Sequence, residues 1–317
     1  MYNKPKISAC IIAYNAEHSI INCLNSIKDY CYEINIAIDT KTTDKTHQVV
    51  TAWADTHNDI KFNIEHYEWV NDSFADARNF INSKATGDWI LIIDCDETIA
   101  NHQIPDPQYD FYVIPIHNSR QGKLETITFS VKLYKNNIGI KYKWKTHEDN
   151  RESLAGKTGN KAEMYFIHNE KSTETLQWKT QWLLERALRD YPDERDNPCL
   201  KGQIGTYYQT LEQYEESNKW LHRAMFDNVE KPLKAQAAIR IFINYQQLDH
   251  TDCDNAMFWL HLSIGLCPMQ LQAHYILYQI YKNDNKPEYA ELHKQAINKV
   301  GSNSQLPFDI VFENITF

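Results

Sequence analysis

The chain has 317 residues, 42% hydrophobic and 12% aromatic, with 9 Gly and 10 Pro, which is enough apolar material for two cores and excludes a disordered or collagen-like chain. Its 33 Lys and Arg against 42 Asp and Glu leave a net charge of −9, which makes nucleic acid and anionic lipid poor partners. The 7 Cys are odd in number and form no CxxC pair, so they read as buried free thiols of a reducing compartment.

Met1-Tyr2-Asn3-Lys4-Pro5-Lys6 runs straight into a strand pattern. No apolar run reaches the roughly 18–20 residues that span a bilayer. A cytoplasmic protein without a membrane span is expected.

In chain order, Ile7 to Tyr14 is an almost continuous apolar run, the pattern of a strand covered on both faces. Ile20, Ile21, Leu24 and Ile27 follow at helical spacing. Glu33 to Asp39 reads as a second strand, and Val49, Val50 and Trp53 mark a second helix. Ile60 to Trp69 alternates as a third strand, Phe74 to Ser83 reads as helix, and Trp89 to Asp94 is a fourth buried strand. This alternation predicts a parallel α/β sheet, whose ligands bind beyond the C-terminal strand ends. Those ends are Tyr14-Asn15, Asp39-Thr40 and Asp94-Cys95-Asp96-Glu97, two of them acidic. Beyond them Tyr109 to Ile116, Ile127 to Tyr134 and a short Gly139 to Trp144 read as the strands of an α+β flank.

After residue 172 the pattern turns helical. Leu176, Leu183, Leu184, Ala187 and Leu188 share one helix face, which ends at the proline-bounded stretch Tyr191 to Pro198. Gly205, Tyr208, Ser217, Leu221 and Ala224 fit the spacing of a tetratricopeptide-type helix pair. Ala256, Leu260, Ser263 and Pro268 repeat its second half, and Tyr281, Ala290 and Ile297 repeat it again. The expected division is an α/β domain over 1–175, a tetratricopeptide-like helical domain over 176–300, and a tail over 301–317.

Asp94-Cys95-Asp96 carries the chemistry. Two carboxylates two apart on extended chain project to the same side. At the end of a buried strand they can hold Mg²⁺ or Mn²⁺, hard cations that clamp a diphosphate.

Four motifs in order resemble the family 2 glycosyltransferases of the GT-A fold. They are Tyr14-Asn15, the stretch Asp39 to Thr46, the stretch Phe74 to Asn79 with Arg78, and Gly87 to Glu97 with its Asp94-Cys95-Asp96. His147-Glu148 and the His168 segment, followed by helical repeats, look like the subgroup that carries a repeat domain. The sequence departs from the pattern at Lys41-Thr42, where the family usually has Gly-Ser.

The resemblance implies a metal-dependent inverting transfer from a UDP-sugar, with Mn²⁺ or Mg²⁺ as cofactor and an acceptor that the motifs leave open. It implies that Tyr14 and Asn15 line the nucleobase pocket, that Asp39 accepts a hydrogen bond from uracil, and that Arg78 lies near the base or diphosphate. It places Asp94 on the ribose, Asp96 and His147 on the metal, and Glu148 as catalytic base with Glu97 and Asp149 behind it. His168 is read as structural. The helical domain either recognises the acceptor or joins two protomers as a homodimer. The competing readings are a non-catalytic interaction protein with a degenerate transferase half, and a viral-type enzyme that glycosylates DNA bases.

Overall fold

The computed structural model describes residues 5–301 apart from 70–71, 104, 121–122, 171–172, 228, 249–252 and 269. The tail expected over 301–317 lies outside the described residues from 302 onward. The chain divides into two compact units, residues 1–170 and 171–317.

The first unit opens with the expected alternation. β1 (Ile7–Ala13), α1 (Ile20–Ile27), β2 (Glu33–Asp39), α2 (Thr46–Thr56), β3 (Lys61–Tyr67), α3 (Phe74–Asn82) and β4 (Trp89–Ile92) follow one another. Then come β5 (Glu97–Ala100), β6 (Phe111–Arg120), β7 (Lys123–Lys135), β8 (Gly159–Lys161) and β9 (Tyr165–Glu170). The sheet order is β3-β2-β1-β4-β7-β6-β9-β5, with β8 beside β6. Strands β1 to β4 pair in parallel, while β7 runs antiparallel to both β4 and β6.

All seven residues of β1 are buried, because successive side chains feed two cores. Ile7, Ala9, Ile11 and Ala13 pack with Leu24 and Ile27 of α1, and Cys10 and Ile12 pack with Ala77 and Ile81 of α3. The chain winds from β1 through β2 to β3 on one side, then crosses to β4 on the other side of β1. The crevice of such a sheet opens at that reversal, beyond the ends of β1 and β4.

The expected strand over Gly139 to Trp144 is absent. Only Lys143 bridges to Asp149, and the backbone is left-handed at Gly139 (φ 79°), Trp144 (φ 76°) and His147 (φ 67°). Two such residues, one at each end of the run, keep it from extending as a strand. β5 and β9, which the sequence did not announce, pair with each other across nearly seventy residues of chain.

The second unit contains, among its described residues, α4 (Thr173–Asp190), α5 (Leu200–Thr210), α6 (Tyr214–Phe226), α7 (Lys231–Gln247), α8 (Cys253–Leu266), α9 (Leu271–Asn283) and α10 (Pro287–Gly301). α5 packs on α6, α7 on α8 and α9 on α10, so the α/β domain is followed by the expected all-α array of helix pairs. The Ser217 hydroxyl of α6 donates to the Gly205 carbonyl of α5 (2.7 Å) and accepts from Asn244 Nδ2 of α7 (2.8 Å). Ser263 of α8 donates likewise to the Ala235 carbonyl of α7 (2.9 Å). A Cβ added at Gly205 would stand 2.7 Å from Leu221 Cγ, whereas one at Gly202 meets nothing within 4 Å. None of the described helices is long and apolar enough to cross a membrane.

Two predictions follow from this packing. Gly205→Ala should destabilise the protein by about 1–3 kcal/mol through overpacking, while Gly202→Ala should stabilise it by up to about 1 kcal/mol through helix propensity. Urea unfolding of both variants checks the opposite signs.

Glu33, 1% exposed, accepts from Ser8 Oγ (2.6 Å), Lys61 Nζ (2.6 Å) and Thr86 Oγ1 (2.7 Å), tying β1, β2, β3 and the turn before β4. Burial alone would raise its pKa, but these bonds outweigh it and bring the group down from 4.5 to about 2. A folded-state pKa below the unfolded one stabilises fully above pH 4.5, and that contribution is lost as the pH falls from 4.5 toward 2. Glu33→Gln should therefore cost up to about 3 kcal/mol at neutral pH and flatten the acid limb of the stability curve, measured by unfolding at stepped pH.

Candidate active site

The strand ends at the β1/β4 reversal hold most of the expected residues. Tyr14, 38% exposed, follows β1 with its ring 6.2 Å from that of Trp69, which is buried and stands edge-on to Phe74. Asn15 adopts a left-handed backbone (φ 47°), which Asn tolerates through local hydrogen bonding. Its Oδ1 accepts from the backbone N–H groups of Thr43 (2.9 Å) and Asp44 (3.4 Å), joining the loops after β1 and β2.

Asp39, buried at the end of β2, accepts from the Lys41 N–H through Oδ1 (3.0 Å), and its carbonyl accepts from the Thr42 N–H (3.0 Å). Lys41 has no positive φ, so the turn forms without the family's usual glycine. The Lys41 ammonium pairs with Asp72 (3.2 Å).

The centre is a chain of charges. α3 starts at Ser73, whose hydroxyl caps the Asp76 N–H (3.1 Å), and carries Arg78 on its buried side beside Ala75 and Ile81. Arg78 is 4% exposed; Nη2 donates to Asp94 Oδ1 and Nε to Glu148 Oε1 (3.3 Å). Its Nη1 is buried with no protein partner among the described residues. The other oxygen of Asp94 accepts from Lys132 Nζ of β7 (2.7 Å), which also donates to both oxygens of Glu97 (2.8 and 2.7 Å).

Burial opposes ionisation of Asp94, but Arg78 and Lys132 overcome it and hold the carboxyl well below its usual range. Burial raises Glu97 despite Lys132. It also raises Glu148, with Arg78 pulling down and Asp94 pushing up.

Asp96 turns to another partner, its Oδ2 lying 3.4 Å from Nε2 of His168. The sheet brings His168 there, because β9 sets it opposite Glu97 of β5 and Asn118 of β6. His168 Nδ1 lies 3.0 Å from Asn118 Oδ1. Burial lowers the His147 pKa from 6.5 to about 4, which keeps its imidazole neutral. Among the described residues no group of three or more His, Cys, Asp or Glu is arranged to hold a metal ion.

The structure therefore joins Arg78, Asp94 and Glu148 directly, and links Asn15 to the loop that follows Asp39. Of the alternative bases, Glu97 is 3% exposed against Lys132, and Asp149 accepts from Arg151 Nε (2.6 Å). Sequence reasoning missed Lys132 and read His168 as structural. Lys132 left a signal, a lone charge among Val131, Leu133 and Tyr134 in a strand buried throughout that stretch.

Residues 8–106 match the family described as Glycosyl transferase family 2. A TPR repeat-containing protein of Synechococcus elongatus is 28% identical over 156 residues, 47% of this chain and 36% of that protein. The SPbeta prophage-derived glycosyltransferase SunS of Bacillus subtilis is 31% identical over 155 residues, 46% of this chain and 35% of that protein. The matched stretch thus spans about a third of each curated relative. The crystal structure of S. aureus TarS 1-349 in complex with UDP aligns with a TM-score of 0.42 at 16% identity, covering 98% of this chain and 100% of that one. The family match runs from β1 to just past β5 and takes in Tyr14, Asn15, Asp39, Arg78, Asp94 and Asp96, so the first unit of this chain carries a family 2 glycosyl transferase domain.

Proposed function

We propose that the chain is a glycosyltransferase that moves a sugar from a UDP-sugar to an acceptor with inversion, assisted by Mn²⁺ or Mg²⁺. The observation that carries this reading is the buried run Glu148–Arg78–Asp94 at the sheet reversal, with Asp96 beside it. Asp39 accepts from the uracil N–H with the oxygen that does not cap the turn, and Tyr14 and Asn15 frame the base. The orphaned Nη1 of Arg78 is a buried donor that an anionic or carbonyl oxygen of the nucleotide satisfies.

A divalent cation would draw two ligands from this chain, an oxygen and a nitrogen, and the rest from the diphosphate and water. Asp96 Oδ2 and His168 Nε2, 3.4 Å apart, are the pair that would hold such an ion. His147 is the further ligand that the family resemblance implies. A divalent ion held there would supply charge to offset what develops on the departing diphosphate. Glu148 takes the acceptor's proton as the new glycosidic bond forms and UDP leaves from the opposite face. Its raised pKa makes it a better proton acceptor than an ordinary carboxylate.

In the helical unit Trp178, Phe226 and Phe258 are exposed, aromatic surface that a partner would cover. We assign that unit to acceptor recognition or to pairing of two protomers.

A panel of nucleotide sugars with purified protein and Mn²⁺ tests the reading, and turnover of a UDP-sugar is expected. Glu148→Gln should lower the transfer rate by roughly 10²-fold or more with UDP-sugar affinity almost unchanged; loss of donor binding at an intact rate would move Glu148 to the nucleotide site. For the helical unit, light scattering should give a dimer or truncation near residue 175 should abolish acceptor turnover. A monomer whose truncated form keeps full activity would rule out both roles.

A further inference from the structure

Three carboxylates crowd the four residues that follow Ile93, namely Asp94, Asp96 and Glu97. Left alone they would repel one another and repel the diphosphate that the reading above brings to them. The turn is held closed from both ends. The Glu97 N–H donates to the Asp94 carbonyl (3.0 Å), and the Asp94 N–H donates to Glu97 Oε2 (2.9 Å). One cation then binds both side chains. Lys132 Nζ has three N–H donors, and they meet Asp94 Oδ2, Glu97 Oε1 and Glu97 Oε2 at 2.7, 2.8 and 2.7 Å.

Lys132 is 7% exposed, and its ammonium lies 5.6 Å from the ring centre of the fully buried Phe166. It comes from β7, the antiparallel neighbour of β4; the pairing of Leu91 with Leu133 sets Lys132 alongside the end of β4. Two residues of the turn are thus clamped from below. Asp96, between them, is directed to His168.

We infer that Lys132 is a positioning residue: by clamping Asp94 and Glu97 it fixes the turn that presents Asp96, and so sets the affinity of the site for a divalent cation with UDP. The inference rests on the functional reading above. It assigns Lys132 no contact with substrate and no proton transfer.

The test is calorimetric titration of UDP into the full chain across a Mn²⁺ series, so that binding is read without turnover. Lys132→Met should raise the Mn²⁺ concentration for half-maximal UDP binding by about 10–100-fold, the scale for a group that orients a metal ligand. UDP binding without metal should change far less, because Arg78 still holds Asp94. Lys132→Arg, which keeps the charge, should restore most of the Mn²⁺ response. Because Lys132→Met strands a buried carboxylate, the paired Lys132→Met/Glu97→Gln variant provides a folded comparison and should show the same Mn²⁺ shift.

A paired variant with the parent's Mn²⁺ response overturns the inference, and so does failure of both variants to fold, which would assign Lys132 to the core alone. A parent chain that binds no UDP at any Mn²⁺ concentration overturns the functional reading instead.

Discussion

The buried ion chain Glu148–Arg78–Asp94–Lys132–Glu97 is the interaction on which the site depends. Its members come from α3, the loop after β4, the start of β5, the C-terminal part of β7 and the loop before β8. Both cations are almost fully buried, so each has given up its water for carboxylates. Removing one partner of such a set leaves an uncompensated charge in the interior, which is far costlier than losing a surface pair. Specificity of arrangement, more than net stability, is what a buried network of this kind provides in the systems where it has been attributed such a role. Here it fixes five segments against one another at the one place where the sheet reverses.

The same network resolves an apparent conflict in the charge balance. A chain with net charge −9 is a poor host for a nucleotide diphosphate if charge is averaged over the surface. The field that a ligand meets is local. At the strand ends Arg78 and Lys132 face inward and neutralise Asp94 and Glu97, so the acidic cluster is much less negative than its composition suggests. What remains is Asp96 with His168, the pair to which the proposed ion is assigned.

Local pattern made the first half of the α/β unit legible. β1 to β4 and their helices follow from apolar runs and from i, i+3, i+4 spacing, which depend on near neighbours. The Gly205, Ser217 and Leu221 pattern likewise reports a contact between adjacent helices. The later strands depend on distant partners. β5 is only four residues long and exists because β9 pairs with it, and no local pattern in Glu97 to Ala100 announces that. His168 reaches Asp96 through the same pairing, which is why that contact was not readable from its own surroundings. The run from Gly139 to Trp144 misled in the opposite direction, because its alternation is real but its backbone turns left-handed at both ends.

The proposal of Glu148 as base rests on how firmly each carboxylate is already held. Glu97 accepts from Lys132 with both oxygens and from the Asp94 N–H besides, so taking a proton there would break the clamp beneath the turn. Asp149 accepts from the Arg151 N–H (2.7 Å) and from Arg151 Nε (2.6 Å), and its backbone bridges to Lys143. Glu148 has a longer contact, 3.3 Å to Arg78 Nε, and burial lifts its pKa above the ordinary carboxylate value. Burial raises Glu97 as well, so the bonds decide between the two, and the carboxylate with the longer contact accepts a proton at less cost to the fold. When it does, the Arg78 guanidinium still has Asp94, so the charge balance of the donor side survives the transfer. That asymmetry, two carboxylates held by short bonds from Lys132 or Arg151 and one held by a 3.3 Å contact to Arg78 and by its own backbone N–H, is the physical ground for proposing the acceptor beside Glu148.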